Sequence, residues 1–446
     1  MSEASLTLLT DLIAAAKKAG ADNADAILAD GESTAVTYRL GELEQLERSE
    51  GGDIGLRVLV GQKQAIVSSS DRSQQALEEL VDRAVAMAKT VPDDEHVGLA
   101  DPDQLVTGMP DLDMCDPDDL GTNALVEAAK TCEEAARAVD GITNSEGATA
   151  SWGRSRVAIA ASNGFQRTYE STGGSFSASV LAGDVETGME TDYDYTSAVY
   201  ASDLRDAVDV GRTAGERTVR KLGARKIKSG KYPIIFEQRT ARGLLNHFLG
   251  AINGNAVARG TTFLKDRIDT AVFGSGITIV EEPHRARGLR SKPCDAEGLA
   301  NSDHKLIDAG VLTTWVLDLR SARKLGLQST GHASRGPSSP PAPSVTNVNL
   351  MPGTQTPEGL IKEIEQGVFV TDAFGQGVNG VTGDYSRGVA GFWIENGELT
   401  YPVNEITIAG NLKDMFPSLT PADDLDLRYG IDSPTVRIDG MSVAGN

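Results

Sequence analysis

The sequence predicts an α+β protein: a helix and antiparallel-sheet region first, then a β-rich, barrel-like C-terminal domain. Three observations carry this. Apolar residues at helical spacing occur in a few separate segments, with tracts of two-residue alternation between them. Asn163-Gly164 and Asn396-Gly397 sit between alternating runs, where hairpin turns belong. From Pro233 onward the composition shifts to glycine, β-branched residues and turn formers.

Residues 5–19 put Leu6, Leu9, Ile13 and Ala16 on one helical face, and Gly20 is a natural stop. The alternating stretches ADAILAD, STAVTYRL and LEQLERS follow. GLRVLVGQKQAIVSSS reads as a hairpin turning at Gly61-Gln62. Asp71 with Gln74 resembles a capping box that opens a helix over 73–89, with Ala76, Leu80, Ala84 and Ala88 on one face. Residues 91–120, rich in Pro and Asp, read as a surface connector. A second helix, about 121–139, carries Leu125, Ala128, Cys132 and Val139 inward. SRVAIAAS, the Asn163-Gly164 turn, FQRTYES and GSFSASVLAG read as strands. The stretch 183–200 is acidic and bears tyrosines, and a helix over about 202–222 ends at Gly223. The basic cluster Arg220, Lys221, Arg225, Lys226, Lys228 and Lys231 reads as cations complementing a helix C-terminus, then a solvated linker.

Beyond the linker, YPIIFE reads as a buried strand and 238–250 as a helix. A Pro-rich loop occupies 336–344. A helix over 357–366 has Thr356 as cap, Pro357 in its first turn and Gly367 as stop. A Gly-rich stretch from Ala373 to Trp393 leads into a hairpin turning at Asn396-Gly397. No repeat of fixed short period is present. The expected domains are 1–110, 111–224 packed with it, and 229–446.

Composition excludes several functions. There are 42 basic and 64 acidic residues, a net charge of −22, and such a field repels nucleic-acid phosphates and anionic lipids. No apolar run approaches the roughly 18 residues of a membrane-spanning helix. The N-terminus lacks the basic first region and cleavage site of a signal peptide and reads as an amphipathic helix. Cys115, Cys132 and Cys294 are sparse and odd in number, which argues against a disulfide framework and for a reducing cytoplasm.

Five stretches in order carry a resemblance: GDIGLRVLVGQKQAIVSSSD from Gly52, PCDAEGLAN from Pro293, LDLRSARKLGLQSTGHASRG from Leu317, PSVTNVNLMPG from Pro343, and the run from Gly383 to Met415. In these the chain resembles the TldD/PmbA peptidase family, on its PmbA (TldE) branch. The resemblance implies a complex of two chain types, in which the TldD-type chain holds zinc through H-E-x-x-x-H and a later Cys. In this chain the corresponding stretch is LLNHFLGAINGNAVARG, Leu244 to Gly260, and the register places Leu245, Asn246 and Gly250 at the His, Glu and His positions. No Cys follows Cys294. Zinc peptidase chemistry needs paired imidazoles and a carboxylate beside the metal-bound water. Accordingly, no metal, cofactor or catalytic residue is expected in this chain, and zinc is expected in a TldD-type metallopeptidase partner. The resemblance further implies unfolded peptides as substrates, and a link to modulation of DNA gyrase through proteolysis rather than DNA contact. Two rival readings stand beside it: an autonomous peptidase with an unrecognised site, and a non-enzymatic homodimeric peptide-binding module.

Candidate chemistry is thin. His247 lies alone on the 238–250 helix. His284, His304 and His332 are scattered, and there is no G-x-S-x-G elbow and no phosphate-binding loop. Asp384, Tyr385, Ser386 and Arg387 form an exposed-looking polar group. It reads either as a turn held by its own Asp and Arg or as a contact with a partner chain or peptide backbone. Asp295 and Glu297 read as a cap on the turn before Gly298, or as a carboxylate pair for acid–base work. Trp152, Trp315 and Trp393 read as core or rim aromatics.

Overall fold

A computed structural model describes residues 2–184 and 188–446. The N-terminal half is one sheet of long antiparallel strands: β1 (Asn23–Arg39), β2 (Glu42–Val60), β3 (Lys63–Ser69), β4 (Ile142–Ala161), β5 (Gln166–Asp184) and β6 (Gly188–Ala198), in the order β3-β2-β1-β4-β5-β6. Helices α1 (Ser2–Lys18) and α2 (Gln74–Thr90) cover one end, packing Leu9, Leu12, Leu80 and Ala84 on Ile54, Leu56 and Val58. Helices α3 (Thr122–Arg137) and α4 (Ala207–Arg220) cover the other.

The two-residue turn at Gly61-Gln62 forms as expected, with Val60 paired to Lys63. The short strands expected around Asn163-Gly164 merge into β4 and β5, which pair along nearly their whole length. The helix at 73–89 forms, but its cap is Ser73, whose Oγ accepts from the Ala76 N–H. Asp71 is two residues earlier and accepts the Ser73 N–H on its carboxylate instead. In α3 the buried positions are Leu125, Ala129, Cys132, Glu133 and Ala136; Ala128, and Val139 just past the helix, are only half-buried. The 91–120 connector is not merely a surface strap. Leu105, Val106 and Met109 pack with Phe165 and Cys294, and the Val106 N–H reaches the Gly298 carbonyl. The expected helix at 202–222 is shorter, because Asp206 caps it by accepting from Val208 N–H. Within the acidic stretch 183–200, residues 185–187 lie outside the described residues.

The C-terminal half is built on β7 (Gly230–Phe236), helices α5 (Gln238–Ala251) and α6 (Gly254–Arg259), and the short strands β8 (Ile279–Glu281), β9 (His304–Asp308) and β10 (Val311–Leu312). After helix α7 (Leu319–Leu325) come β11 (Ala333–Ser334), β12 (Ala342–Pro343), β13 (Val348–Leu350), helix α8 (Pro357–Lys362) and β14 (Gln366–Phe374). The chain ends in β15 (Asp384–Glu395), β16 (Glu398–Asn411), helix α9 (Leu412–Met415), β17 (Thr420–Pro421), β18 (Ile431–Asp432) and β19 (Val436–Ala444). Strands β16-β15-β14-β7-β19 lie side by side, and β19 pairs back onto β16, closing a five-strand barrel.

YPIIF is apolar throughout because β7 is covered on both faces. Ile234 and Phe236 enter the barrel core, and Ile235 enters a second cluster with Leu360, Ile361, Ile364 and Ile394. The 357–366 helix stops early, at Lys362. Ile364 turns into that second cluster, so Gly367 belongs to β14 and not to a helix stop. At Gly367 a Cβ would lie 2.8 Å from the Pro233 carbonyl oxygen. Trp152, Trp315 and Trp393 are all buried.

A dense ionic junction joins the two halves. Lys221, just past α4, places Nζ 2.9 Å from Asp192 on β6 and 2.8 Å from Asp372 on β14. Arg239 on α5 reaches the same Asp192 at 2.9 Å. Lys221, expected among cations complementing a helix C-terminus, does lie at the end of α4 but is buried and structural, held by two carboxylates. A second junction sets Arg335 and Arg57 on the buried Asp25 carboxylate. Pro337, in the Pro-rich loop, sits directly on Gly55, where a Cβ would lie 2.0 Å from the proline carbonyl oxygen.

Candidate functional site

Helix α5 positions the cleft that matters. Its apolar stripe, Ala241, Leu244, Leu245, Phe248 and Leu249, is buried on the barrel core, with Phe248 edge-on to Phe273 at 5.2 Å. That packing turns Asn246, His247 and Gly250 outward. They line a cavity of about 290 Å³ with Thr261, Thr262, Phe263, Gln376, Val378 and Arg387. At Gly250 an added Cβ would meet nothing within 4 Å, so packing does not demand this glycine.

Burial, and then the Arg387 guanidinium, hold the His247 imidazole below its ordinary range, so it is neutral at pH 7. Its ring stands edge-on to Tyr385, 6.0 Å between centroids. Tyr385 is buried, and burial pushes its hydroxyl up to about 12, so it keeps its proton.

The group 384–387 opens strand β15 and is not a free turn. Asp384 is exposed and accepts from Thr382 Oγ1 (2.6 Å) and Asn411 Nδ2 (3.0 Å), and these contacts lower its pKa. Tyr385 is buried, contrary to its exposed look in the sequence, because alternation along β15 turns it inward between the exposed Asp384 and Ser386. The exposed Ser386 donates its N–H to the Gly377 carbonyl at 2.7 Å. Arg387 spans to the end of β14, donating from Nε to the Phe374 carbonyl (3.1 Å) and from Nη2 to the Ala373 carbonyl (2.9 Å). The glycines nearby allow close approach: a Cβ at Gly377 would lie 1.9 Å from Ser386 O, and one at Gly391 1.9 Å from Phe369 O, beside a β-bulge.

Asp295 and Glu297 do not line the cleft. Both are buried. Asp295 accepts from the N–H groups of Glu297, Leu299 and Ala333, which makes it the organiser of the turn before Gly298. Glu297 accepts from the Leu319 N–H at 2.9 Å, the first residue of α7. Desolvation raises both carboxyls, Asp295 to about 6 and Glu297, further pushed by Asp295, to about 8.

Two of the other histidines, scattered in the sequence, come together in the fold. His284 Nε2 lies 2.8 Å from Asn301 Oδ1, and His332 is buried between Glu281 (2.7 Å) and Thr330 (2.8 Å). His304 has its ring 5.3 Å from His332. Sequence reasoning missed that His247, Asn246 and Arg387 share one cleft. The only available signal was that 246, 247 and 250 fall off the apolar stripe of the helix.

Comparison with known proteins places this architecture. Models of the PmbA/TldA metallopeptidase match in chain order: domain 1 at residues 24–88, the central domain at 115–222 and the C-terminal domain at 229–445. The chain is 38% identical over 426 residues to Metalloprotease PmbA of Escherichia coli O157:H7, covering 95% of this chain and 92% of that one. The chain belongs to the PmbA/TldD family. A PmbA homologue of Haemophilus influenzae is 37% identical, over 97% of this chain and 94% of its own length. Among solved structures, a candidate modulator of DNA gyrase from Bacteroides thetaiotaomicron superposes with a TM-score of 0.92 at 28% identity, covering all of both chains. TldE of Thermococcus kodakarensis shares the fold, with a TM-score of 0.86 at 20% identity over 98% of this chain and 100% of that one.

The name metallopeptidase implies a metal, and the residues on α5 do not fit one. Leu245 is a hydrocarbon 5% exposed within the core, Asn246 offers a neutral carboxamide, and Gly250 offers no donor. Among the described residues, His247 is the lone imidazole in the cleft lining, with no carboxylate or thiol beside it. A hydrolytic zinc site takes three protein ligands of the His, Cys, Asp or Glu type.

Proposed function

We propose that this chain is the metal-free, TldE-type subunit of a two-chain peptidase, in which a TldD-type partner supplies zinc, the metal-bound water and the general base. The observation that carries the reading is the side-chain set at 245, 246 and 250 on α5: isobutyl, carboxamide and hydrogen, in a family whose members are named metalloproteases. The cleft beside α5 supports a passive role, because it offers hydrogen-bonding groups without a metal-binding set. Asn246, Gln376, Thr261 and the neutral His247 can hold the backbone of an unfolded peptide, and Arg387 fixes the strand ends that frame it. The sparse cysteines, all unpaired, accord with a cytoplasmic location.

The test is zinc content and peptide cleavage measured for this chain, for a family member bearing H-E-x-x-x-H, and for their mixture. The expected outcome is no stoichiometric zinc in this chain, zinc in the other, and full turnover only in the mixture. Stoichiometric zinc with turnover in this chain by itself overturns the proposal. Failure of the two chains to associate, with only homodimers formed, favours a peptide-binding module instead.

A further inference from the structure

A second cavity, larger than the cleft beside α5, is lined by both apolar and charged side chains. It lies at the other end of that helix, between α4, α8 and the outer face of the barrel, with a volume of about 450 Å³. This is within the roughly 300–1,000 Å³ typical of small-ligand sites. Its chemistry is two-sided. Ile361, Phe369, Phe392 and Leu399 form an apolar wall. Five cations (Arg217, Arg220, Lys221, Arg239 and Lys362) face three carboxylates (Asp192, Glu237 and Glu358), an excess of two positive charges in a chain of net charge −22.

Most of those cations are committed. Lys221 and Arg239 hold Asp192, and Arg217 lies 3.8 Å from Glu237 and 2.8 Å from Asp194. Arg220 and Lys362 differ: both are exposed, and among the described residues neither pairs with a carboxylate. The Arg220 guanidinium rests 4.8 Å from the centroid of the Phe392 ring, which orients the charge over the apolar wall.

We propose that this cavity binds the free C-terminal carboxylate of a peptide ending in an apolar residue, the carboxylate on Arg220 and Lys362 and the last side chain against Phe392, Phe369 and Leu399. The inference rests on the reading of the chain as a peptide-holding subunit and names how a peptide end is anchored. Two uncommitted donors suit a monoanion. The apolar wall beside them favours an anion that carries an apolar side chain, as the carboxylate of a C-terminal apolar residue does and a phosphate does not.

Helix α5 connects this anchor to the cleft. Arg239, Gly243, Asn246 and Gly250 are spaced i, i+4, i+7 and i+11 on one stripe, along which Arg239 turns in to Asp192 while Asn246 and Gly250 are exposed. Gly243 and Gly250 leave it bare, since a Cβ at either would meet nothing within 4 Å. At 1.5 Å per residue the stripe runs roughly 10 Å from Arg239 to Asn246 and 16 Å to Gly250. An extended peptide covers that span in about three to five residues. A peptide held by its C-terminus would therefore place the residues a few positions upstream beside His247 and Arg387.

The experiment is equilibrium binding to this chain alone, without zinc or partner, so that it reads the anchor and not turnover. The probes are acetyl-Ala-Ala-Leu with a free carboxylate, the same peptide as its C-terminal amide, and inorganic phosphate. The proposal expects the acid to bind at least tenfold tighter than the amide, and R220Q/K362Q to bring the acid down to the level of the amide. Both substitutions are at exposed positions, and the acid-to-amide ratio of the unaltered chain needs no variant at all. Equal binding of acid and amide, no binding of either, indifference to R220Q/K362Q, or phosphate binding tighter than the acid would each overturn it. The zinc and cleavage assay of the mixed complex stands apart, so the subunit reading can survive the loss of this anchor.

Discussion

Replacing Lys221 with Met probes whether the central region and the barrel are held by one ionic junction. The Lys221 ammonium lies between two carboxylates, Asp192 with its side chain 1% exposed and Asp372 at 26%. It also donates to the Thr191 carbonyl at 3.0 Å. Methionine keeps the length and apolar stem, so the change removes charge and hydrogen bonds more than volume. Breaking a buried pair by deleting one partner costs about 3–5 kcal/mol, because the remaining charge is left uncompensated. Two features pull the expected value to the lower end: Arg239 still holds Asp192 at 2.9 Å, and Asp372 can draw in water. We expect K221M to lose about 3 kcal/mol. The assay is urea unfolding followed by tryptophan fluorescence, with D192N and K221M/D192N completing a double-mutant cycle. The coupling energy should exceed about 1.5 kcal/mol, since the two groups are in direct contact. Burial works to raise Asp192, but Arg239 and Lys221 outweigh it and leave its pKa lowered. A lowered carboxylate stabilises the fold above the unfolded-state pKa, and that contribution fades as pH falls through the folded value. The gap between wild type and K221M should thus be full at neutral pH and shrink in acid. A loss under 1 kcal/mol, or additivity within error in the cycle, would refute the junction.

Four further outcomes are expected. R387A should remove two hydrogen bonds to the end of β14, costing about 1–3 kcal/mol, and should slow peptide turnover by the mixed complex without altering its zinc content; unchanged turnover would make Arg387 purely structural. G250A should stabilise by about 0.5–1 kcal/mol, since the site is helical and open, measured as a rise in the unfolding midpoint. G391A should destabilise by more than about 1–3 kcal/mol, because the new Cβ would sit 1.9 Å from Phe369 O; a neutral result would refute the close approach at the bulge. Asp295 and Glu297 have raised folded-state pKa values, so the folded chain holds protons that the unfolded chain has released. Their contribution to stability should fall as pH rises from the ordinary carboxylate range toward about 8, and E297Q should flatten that slope in a pH series of unfolding midpoints.

Much of the fold was legible because its signals are local. Gly61-Gln62 and Asn396-Gly397 turn where alternating runs meet them, and the latter pair has the positive φ values, 51° and 81°, that such a turn requires. YPIIF announced a strand covered on both faces. The misses have two physical origins: partners distant in sequence decide some local ends, and local geometry reassigns other side chains. Gly367 looked like a helix stop until Ile364 found a core to enter. Asp71 looked like a cap, but its own turn claimed its carboxylate first. Tyr385 looked exposed beside three polar neighbours, yet strand alternation buries it. Lys221 looked like a cation complementing a helix C-terminus, because no local pattern reveals two carboxylates, on β6 and β14, converging on it.

The same distinction explains why the cleft was harder to see than the missing zinc ligands. An absent donor set is visible in one helix, since Leu245, Asn246 and Gly250 need no neighbours to be recognised as poor ligands. A binding surface is assembled from several segments: α5 supplies Asn246 and His247, the loop after α6 supplies Thr261 and Thr262, and β15 supplies Arg387. None of these carries a motif on its own. The apolar stripe of α5 fixes which residues turn outward, and the glycines at 243 and 250 leave that outward face open. Had packing alone shaped this helix, alanine at either position would have fitted and added helix propensity. Two glycines at unhindered helical sites therefore cost stability with no packing reason. That cost is the physical argument that the bare face of α5 serves something laid against it.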